Sequence, residues 1–501
     1  MLVQPRRPAF RRHRSVACVA MALCAPLLQT AGVAQSTFAL EDCRLESGSG
    51  RGSVAARCGT FDVPENREEP TAKRIGLHVA VIPALRTSAE SDALFVLSGG
   101  PGQAASDFYV AMAHTLSRIR RDRDIVVLDQ RGTGRSNKQN CPLPDDADLI
   151  EIDDPALMET LTRNCLQALT GDPRFYTTSI AVRDLEEVRA ALGYERINLY
   201  GVSYGTRVAQ HYLRLYPERV RALVLDGVVP PQLALGPHIP IEAQRALDAL
   251  FERCANEAAC DKAFPQLRER FAKLRVQLQQ SPLEVALAHP LTAAPIEVRF
   301  GVPELNAAIR LLSYSDESAS ILPLLIHEAQ ALSRPQALAA QYEIIKRSLQ
   351  EQLAYGMHFS VVCSEDAPRW TGREFSSEAL AATYIGAEFM TAMKAVCDRW
   401  PRGAVDENFH EPVRSDVPTL ILSGENDPVT PPAYGEQILP GFSNGLHLVL
   451  AGQGHGQLAA GCMPRIVSRF IASASVNGLG EECAEAIVAA PFMISSTGPS
   501  P

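Results

Sequence analysis

Ser203 stands in Gly201-Val202-Ser203-Tyr204-Gly205, between an apolar stretch at 197–200 and a helix-like run at 206–216. In a strand–turn–helix setting this spacing lifts a serine hydroxyl above the edge of a sheet, where it can attack a carbonyl. The two glycines let backbone and helix close around a strained turn in which a side chain would clash. A serine nucleophile needs a base to take its proton and an acid to orient that base. Of eleven histidines, His455 stands apart. It follows an apolar run inside Gly452-Gln453-Gly454-His455-Gly456, a loop that leaves a ring accessible for proton exchange with Ser203. His78, His114, His211 and His447 fall within strand or helix patterns, where packing or surface roles are expected.

Two acids compete to orient His455. Asp226 ends the strand after the elbow, and Asp427 lies in the segment 424–431, just past the apolar run 419–422. Gly424 and Pro428 fix a tight turn there, and that strand directly precedes the one leading to His455. Asp427 is therefore the expected partner, Asp226 a structural acid, and Glu425 a distant third. Acyl transfer also needs donors for the developing oxyanion. The Tyr204 amide is one, and the loop Ser98-Gly99-Gly100-Pro101-Gly102 can aim another inward. Neither a CxxC pair nor an HExxH segment occurs, so no metal is expected, and the chemistry needs no cofactor.

The surrounding pattern supplies the elements that would hold these groups. Short apolar runs at 77–82, 93–97, 125–128, 197–200 and 222–225 alternate with helix-like stretches such as 181–192. Near-continuous apolar strands separated by helices indicate a parallel sheet buried on both faces. After Pro230-Pro231 the pattern turns helical, at 243–255, 264–279, 303–312, 319–332, 335–351 and 379–389, and strand signals almost vanish. Runs at 418–422 and 446–450 then restore the strand–loop–helix rhythm. The fold class is α/β, a mostly parallel sheet with helices on both faces, and the helical block is an inserted cap. The expected segments are core 35–238, cap 239–404, core 405–490 and a loose tail 491–501.

Residues 1–34 read as a signal peptide: five arginines, an apolar run at 16–28 and small residues up to Ala34. The chain carries 48 Lys+Arg against 57 Asp+Glu. Loss of residues 1–34 removes five Arg and no acid, leaving 43 against 57, a net charge near −14. Such a charge argues against nucleic acid or an anionic membrane as partner. Ten cysteines remain after cleavage, an even number suited to an exported protein. Pairing neighbours in sequence closes only short loops, and predicts Cys43–Cys58, Cys141–Cys165, Cys254–Cys260, Cys363–Cys397 and Cys462–Cys483. A periplasmic or secreted protein with no stable membrane anchor is expected.

The motifs at 98–102, 129–136, 201–206, 427–431 and 454–456 occur in one order. Together they resemble the proline iminopeptidase and tripeptidyl aminopeptidase-like branch of the α/β-hydrolases, over about residues 43–483. The resemblance implies the α/β-hydrolase fold, the set Ser203, Asp427 and His455, an oxyanion hole of Gly100 and Tyr204, and a tripeptidyl aminopeptidase-like C-terminal part. Ser98 departs from the histidine usual in proline iminopeptidases, so the hydrogen bonding of that loop must differ. The 129–136 loop is expected to support the oxyanion loop, with Arg131 tying the two. In the cap, Cys363-Ser364-Glu365-Asp366 resembles a Cys-x-(Glu/Asp) segment, which makes Glu365 and Asp366 candidates to hold a substrate ammonium. The implied activity is an aminopeptidase acting on free N-termini. An esterase or lipase on the same residues is the alternative, and a non-catalytic binding module is disfavoured by the complete set.

Overall fold

The computed structural model describes residues 38–47, 52–142, 155–289, 292–371, 376–480 and 482–499. The signal-peptide reading of residues 1–34 lies outside them. The strands are β1 Glu41–Glu46, β2 Ser53–Pro64, β3 Arg74–Ile82, β4 Leu94–Leu97, β5 Ile125–Leu128, β6 Ile197–Val202, β7 Val220–Asp226, β8 Leu283–Ala288, β9 Pro295–Phe300, β10 Thr419–Gly424 and β11 Gly445–Leu450. Among the described residues, nine form one sheet in the order β1-β2-β3-β5-β4-β6-β7-β10-β11. β1, β2 and β3 pair antiparallel, as does β3 with β5. From β5 onward every pairing is parallel.

Alternation along the central strands explains why they are apolar at nearly every position. Phe95 and Leu97 of β4, and Leu223 and Leu225 of β7, enter one buried cluster, with Val182, Leu185, Val208 and Tyr212 of two covering helices. Leu94, Val96, Ala222 and Val224 enter another on the opposite face, against Ile466, Val467 and Phe470. A strand buried on both faces needs a side chain for each.

The helical cap is spliced between β7 and β10, which are neighbours in the sheet. It runs from helix His238–Asn256 to helix Glu388–Cys397 and packs around two further buried clusters, one shared with Met158 and Leu161 and the other with Phe492 of the tail. It also contains an antiparallel hairpin, β8–β9, which the sequence pattern did not signal. Only Val285, Val298 and Phe300 of that hairpin are buried, too sparse a pattern to stand out. The helix expected at 379–389 is two, Ser377–Ala381 and Glu388–Cys397, separated around Gly386 at φ 86°.

The tail also differs from expectation. Phe492 is buried, with the Arg253 guanidinium 3.9 Å from its ring centre, and the Met493 N–H donates to the Ser320 carbonyl. The five disulfides join Cys43–Cys58, Cys141–Cys165, Cys254–Cys260, Cys363–Cys397 and Cys462–Cys483. Among the described residues no helix is long and apolar enough to cross a membrane.

Candidate active site

Ser203 sits at the carboxyl end of β6 with φ 55° and ψ −125°, a left-handed conformation that costs a non-glycine residue about 1–3 kcal/mol. The surroundings hold it there. Its N–H donates to the Asp226 carbonyl at 2.9 Å, and the Thr206 hydroxyl donates to the Ser203 carbonyl at 2.6 Å. A Cβ on Gly201 would lie 2.5 Å from the Gly205 carbonyl, and one on Gly205 would strike the Leu97 carbonyl. Both glycines of the elbow are therefore required by contact.

His455 lies in the loop after β11. Its N–H donates to the Tyr314 carbonyl at 2.6 Å, and the Tyr314 ring meets the imidazole edge-on at 5.2 Å. Its Nδ1 is 2.8 Å from Asp427 Oδ2. Asp427 is fully buried in the turn after β10, where Oδ1 accepts the Val429 and Thr430 amides and Oδ2 accepts the Thr430 hydroxyl. Donation from Nδ1 leaves Nε2 as a proton acceptor. Burial disfavours the imidazolium, but the Asp427 charge and hydrogen bond, helped by Asp226, outweigh it and hold His455 above its ordinary pKa of 6.5.

The end of β7 lies against both Ser203 and His455. Ser203 is bonded to Asp226, and a Cβ on the next residue, Gly227, would lie 3.0 Å from His455 Cε1. No Ser203–His455 hydrogen bond is formed among the described residues. Such bonds are often long before substrate binds and tighten in its complex. Asp226, the rival acid, makes no hydrogen bond to the ring among the described residues. Its carboxylate accepts the Gln457 and Leu458 amides and the Tyr200 phenol. Glu425 is exposed and accepts the Gly452 amide.

The Gly99 amide donates to Gln103 Oε1, whereas the Gly100 and Tyr204 amides have no acceptor among the described residues. Tyr204 follows Ser203 directly, and the glycine loop lies against the serine at Gly99, where a Cβ would be 3.1 Å from Ser203 Cβ. The Ser98 hydroxyl donates to the Gln103 carbonyl at 2.7 Å, so this serine closes the loop on itself. The cap grips the same loop: Ala354 N–H donates to the Gly102 carbonyl, Gln103 bridges to Leu353, and His358 Nδ1 donates to the Pro101 carbonyl at 3.2 Å. Burial pushes His358 down to about 4, so its ring is neutral.

Two expectations are corrected. Arg131 does not reach the oxyanion loop. It is fully buried and clamps Asp184 with two bonds, at 2.6 and 2.8 Å, tying its loop to helix Thr178–Leu192. The contact toward the site comes from Gln130, whose amide donates to the Tyr204 phenol at 3.0 Å. Glu365 and Asp366 do not present carboxylates to an open cleft. Asp366 pairs with Arg207 at 2.9 Å and accepts the Leu235 amide. Glu365 accepts the amide and hydroxyl of Thr178, whose oxygen also bonds the Tyr204 phenol. Both acids are at most 1% exposed, and burial pushes Glu365 up to about 7. Arg207 lies on the helix after the elbow, and nothing in the spacing of residues 365 and 366 announces that partner.

Thr430 and Tyr314 touch His455 and were not singled out from the sequence. Thr430 was visible within the Asp427 motif, whereas Tyr314 comes from the cap and carries no local signal.

A serine on a strained elbow with a glycine loop against it, and a histidine–carboxylate pair against the end of the neighbouring strand β7, define a serine hydrolase of α/β fold. The chain belongs to the alpha/beta hydrolase fold family, whose profile matches residues 92–459. It is 25% identical over 478 residues to the serine protease Hip1 of Mycobacterium tuberculosis, covering 85% of this chain and 87% of that one. It is 30% identical over 254 residues to the tripeptidyl aminopeptidase of Streptomyces lividans, 45% of this chain and 47% of the other. A carboxylesterase B of Mycobacterium tuberculosis is 33% identical over 225 residues, 42% of each chain.

Proposed function

We propose that the protein is an exported serine peptidase that releases short peptides or single residues from free N-termini. The observation that carries the chemistry is the buried Asp427–His455 pair beside the Ser203 elbow. Ser203 Oγ attacks the scissile carbonyl while His455 Nε2 takes its proton, and Asp427 stabilises the imidazolium. The Gly100 and Tyr204 amides receive the oxyanion. His455 then protonates the leaving amine, and water, activated by the same ring, releases the acyl group from Ser203. The peptidase assignment is supported by the Hip1 and tripeptidyl aminopeptidase relatives. Export is supported by the five disulfides together with the signal-like residues 1–34.

An esterase is the second reading, favoured by one observation: Glu365 and Asp366 are committed to Thr178 and Arg207. A matched pair of peptide anilides, free and N-acetylated, separates the two. Cleavage confined to the free amine supports an aminopeptidase. Equal cleavage of both, with faster turnover of short acyl esters, supports the esterase.

A further inference from the structure

Asp226 is a buried carboxylate beside the site that the mechanism above leaves without a task. It ends β7, level with Val202 of β6 on one side and Leu422 of β10 on the other. Its backbone carbonyl holds the Ser203 amide at 2.9 Å. Its side chain holds the loop that carries the base: Oδ1 accepts the Gln457 amide at 2.7 Å, and Oδ2 accepts the Leu458 amide at 2.9 Å. The Tyr200 phenol donates to Oδ2 at 2.8 Å. One residue thus anchors the nucleophile and, two and three positions after His455, the base.

The charge of Asp226 reaches the ring as well. Burial pushes its carboxyl up to about 6, opposed by the two amides, Tyr200 and the nearby His455. Reciprocally, Asp226 adds to Asp427 in favouring protonated His455. The titratable groups facing it are Tyr200 from β6 and His455 from the loop after β11. Asp427, from the turn after β10, faces the same imidazole at Nδ1.

We propose that Asp226 is a positioning residue for His455: it fixes the histidine loop relative to Ser203 and supplies a second anion behind the imidazolium. This rests on Ser203 and His455 acting as nucleophile and base. Asp427 orients the ring through Nδ1; Asp226 sets where the loop lies and how firmly the ring holds a proton. Asn at position 226 would keep the shape. It would remove the charge and set an amide N–H against one of two backbone N–H groups.

The test follows the rate of covalent labelling by a fluorophosphonate probe against pH, which needs no knowledge of the substrate. In Asp226→Asn the plateau rate falls about 10- to 100-fold, the scale of a small misplacement of a reacting group. The acid limb moves down by about one pH unit, as loss of a nearby opposite charge lowers a histidine pKa. A purely structural lesion slows labelling without moving the limb. Tyr200→Phe is the milder companion: it removes one donor to the Asp226 carboxylate, and the limb moves the same way by less. An unmoved limb in folded Asp226→Asn overturns the inference, as does a wild-type plateau. If Asp226→Asn does not fold, an unmoved limb in Tyr200→Phe overturns it instead. Failure of the wild-type protein to label at Ser203 would overturn the proposed function itself.

Discussion

Replacing Asp427 by Asn gives the sharpest consequence. The substitution keeps the volume of a fully buried side chain. The new Oδ1 can still accept the Val429 and Thr430 amides, so the turn after β10 is retained. The change falls on Oδ2, which accepts from the Thr430 hydroxyl at 2.7 Å and from His455 Nδ1 at 2.8 Å. An amide nitrogen there donates instead. The imidazole responds by accepting at Nδ1 and carrying its proton on Nε2, which presents a donor to Ser203 where an acceptor is required. The imidazolium also loses its counter-charge. Loss of the correct tautomer costs about 10³- to 10⁴-fold in kcat, or roughly 4–5.5 kcal/mol of barrier. The assay is steady-state hydrolysis of a chromogenic acyl ester and of a free-amine peptide anilide, with near-ultraviolet circular dichroism to verify packing. The pH profile adds a second check. In the wild-type protein the acid limb of kcat/KM lies above 6.5, because Asp427 and Asp226 hold His455 up, and Asp427→Asn moves it down. A folded Asp427→Asn enzyme that loses less than about tenfold would refute the assignment of this acid.

Other consequences are independent of that one. Arg207→Met leaves Glu365 and Asp366 buried without their cation and destabilises by about 3–5 kcal/mol, read from urea unfolding. The loss shrinks as pH falls from 8 toward 6, because Glu365, already pushed up to about 7, then takes a proton; a shift under 1 kcal/mol contradicts the pairing. Gly100→Ala sets a Cβ 2.7 Å from the Gly102 nitrogen at φ 106° and lowers kcat by about 10²- to 10³-fold with little change in KM. An unchanged kcat would place the oxyanion donor elsewhere. Removing Cys363–Cys397, 34 residues apart, costs about 4 kcal/mol by chain entropy, against about 2 for Cys254–Cys260, 6 apart. Paired alanine variants compared by urea unfolding check that order.

The strands that carry the site were legible for one physical reason: buried on both faces, they are apolar at nearly every position. The runs read at 93–97 and 125–128 correspond to β4 Leu94–Leu97 and β5 Ile125–Leu128. The half-exposed strands gave no such run. β1 buries only Leu45, β2 only Ala56 and Val63, and β8 only Val285, so the hairpins they form were missed. Local motifs brought Ser203, Asp427 and His455 forward as candidates because each sits at a sheet exit marked by glycine or proline. What the motifs could not supply is contact between segments distant in sequence. Glu365 and Asp366 read as free acids, yet Thr178 and Arg207 occupy them across the interface of cap and core. Arg131 read as a tie to the oxyanion loop, and Asp184 claims it. Asp226 read as a structural acid at the cap entry, and its hold on Gln457 and Leu458 spans more than 230 residues and left no local trace.

The central claim is that Ser203 is the nucleophile, and its most direct test is covalent. The folded protein is treated with a fluorophosphonate probe, digested, and the modified residue located by mass spectrometry. The account predicts a single adduct on the peptide carrying Ser203, no adduct in Ser203→Ala, and loss of hydrolysis in proportion to labelling. A label on another serine, or full hydrolysis by Ser203→Ala, would contradict it.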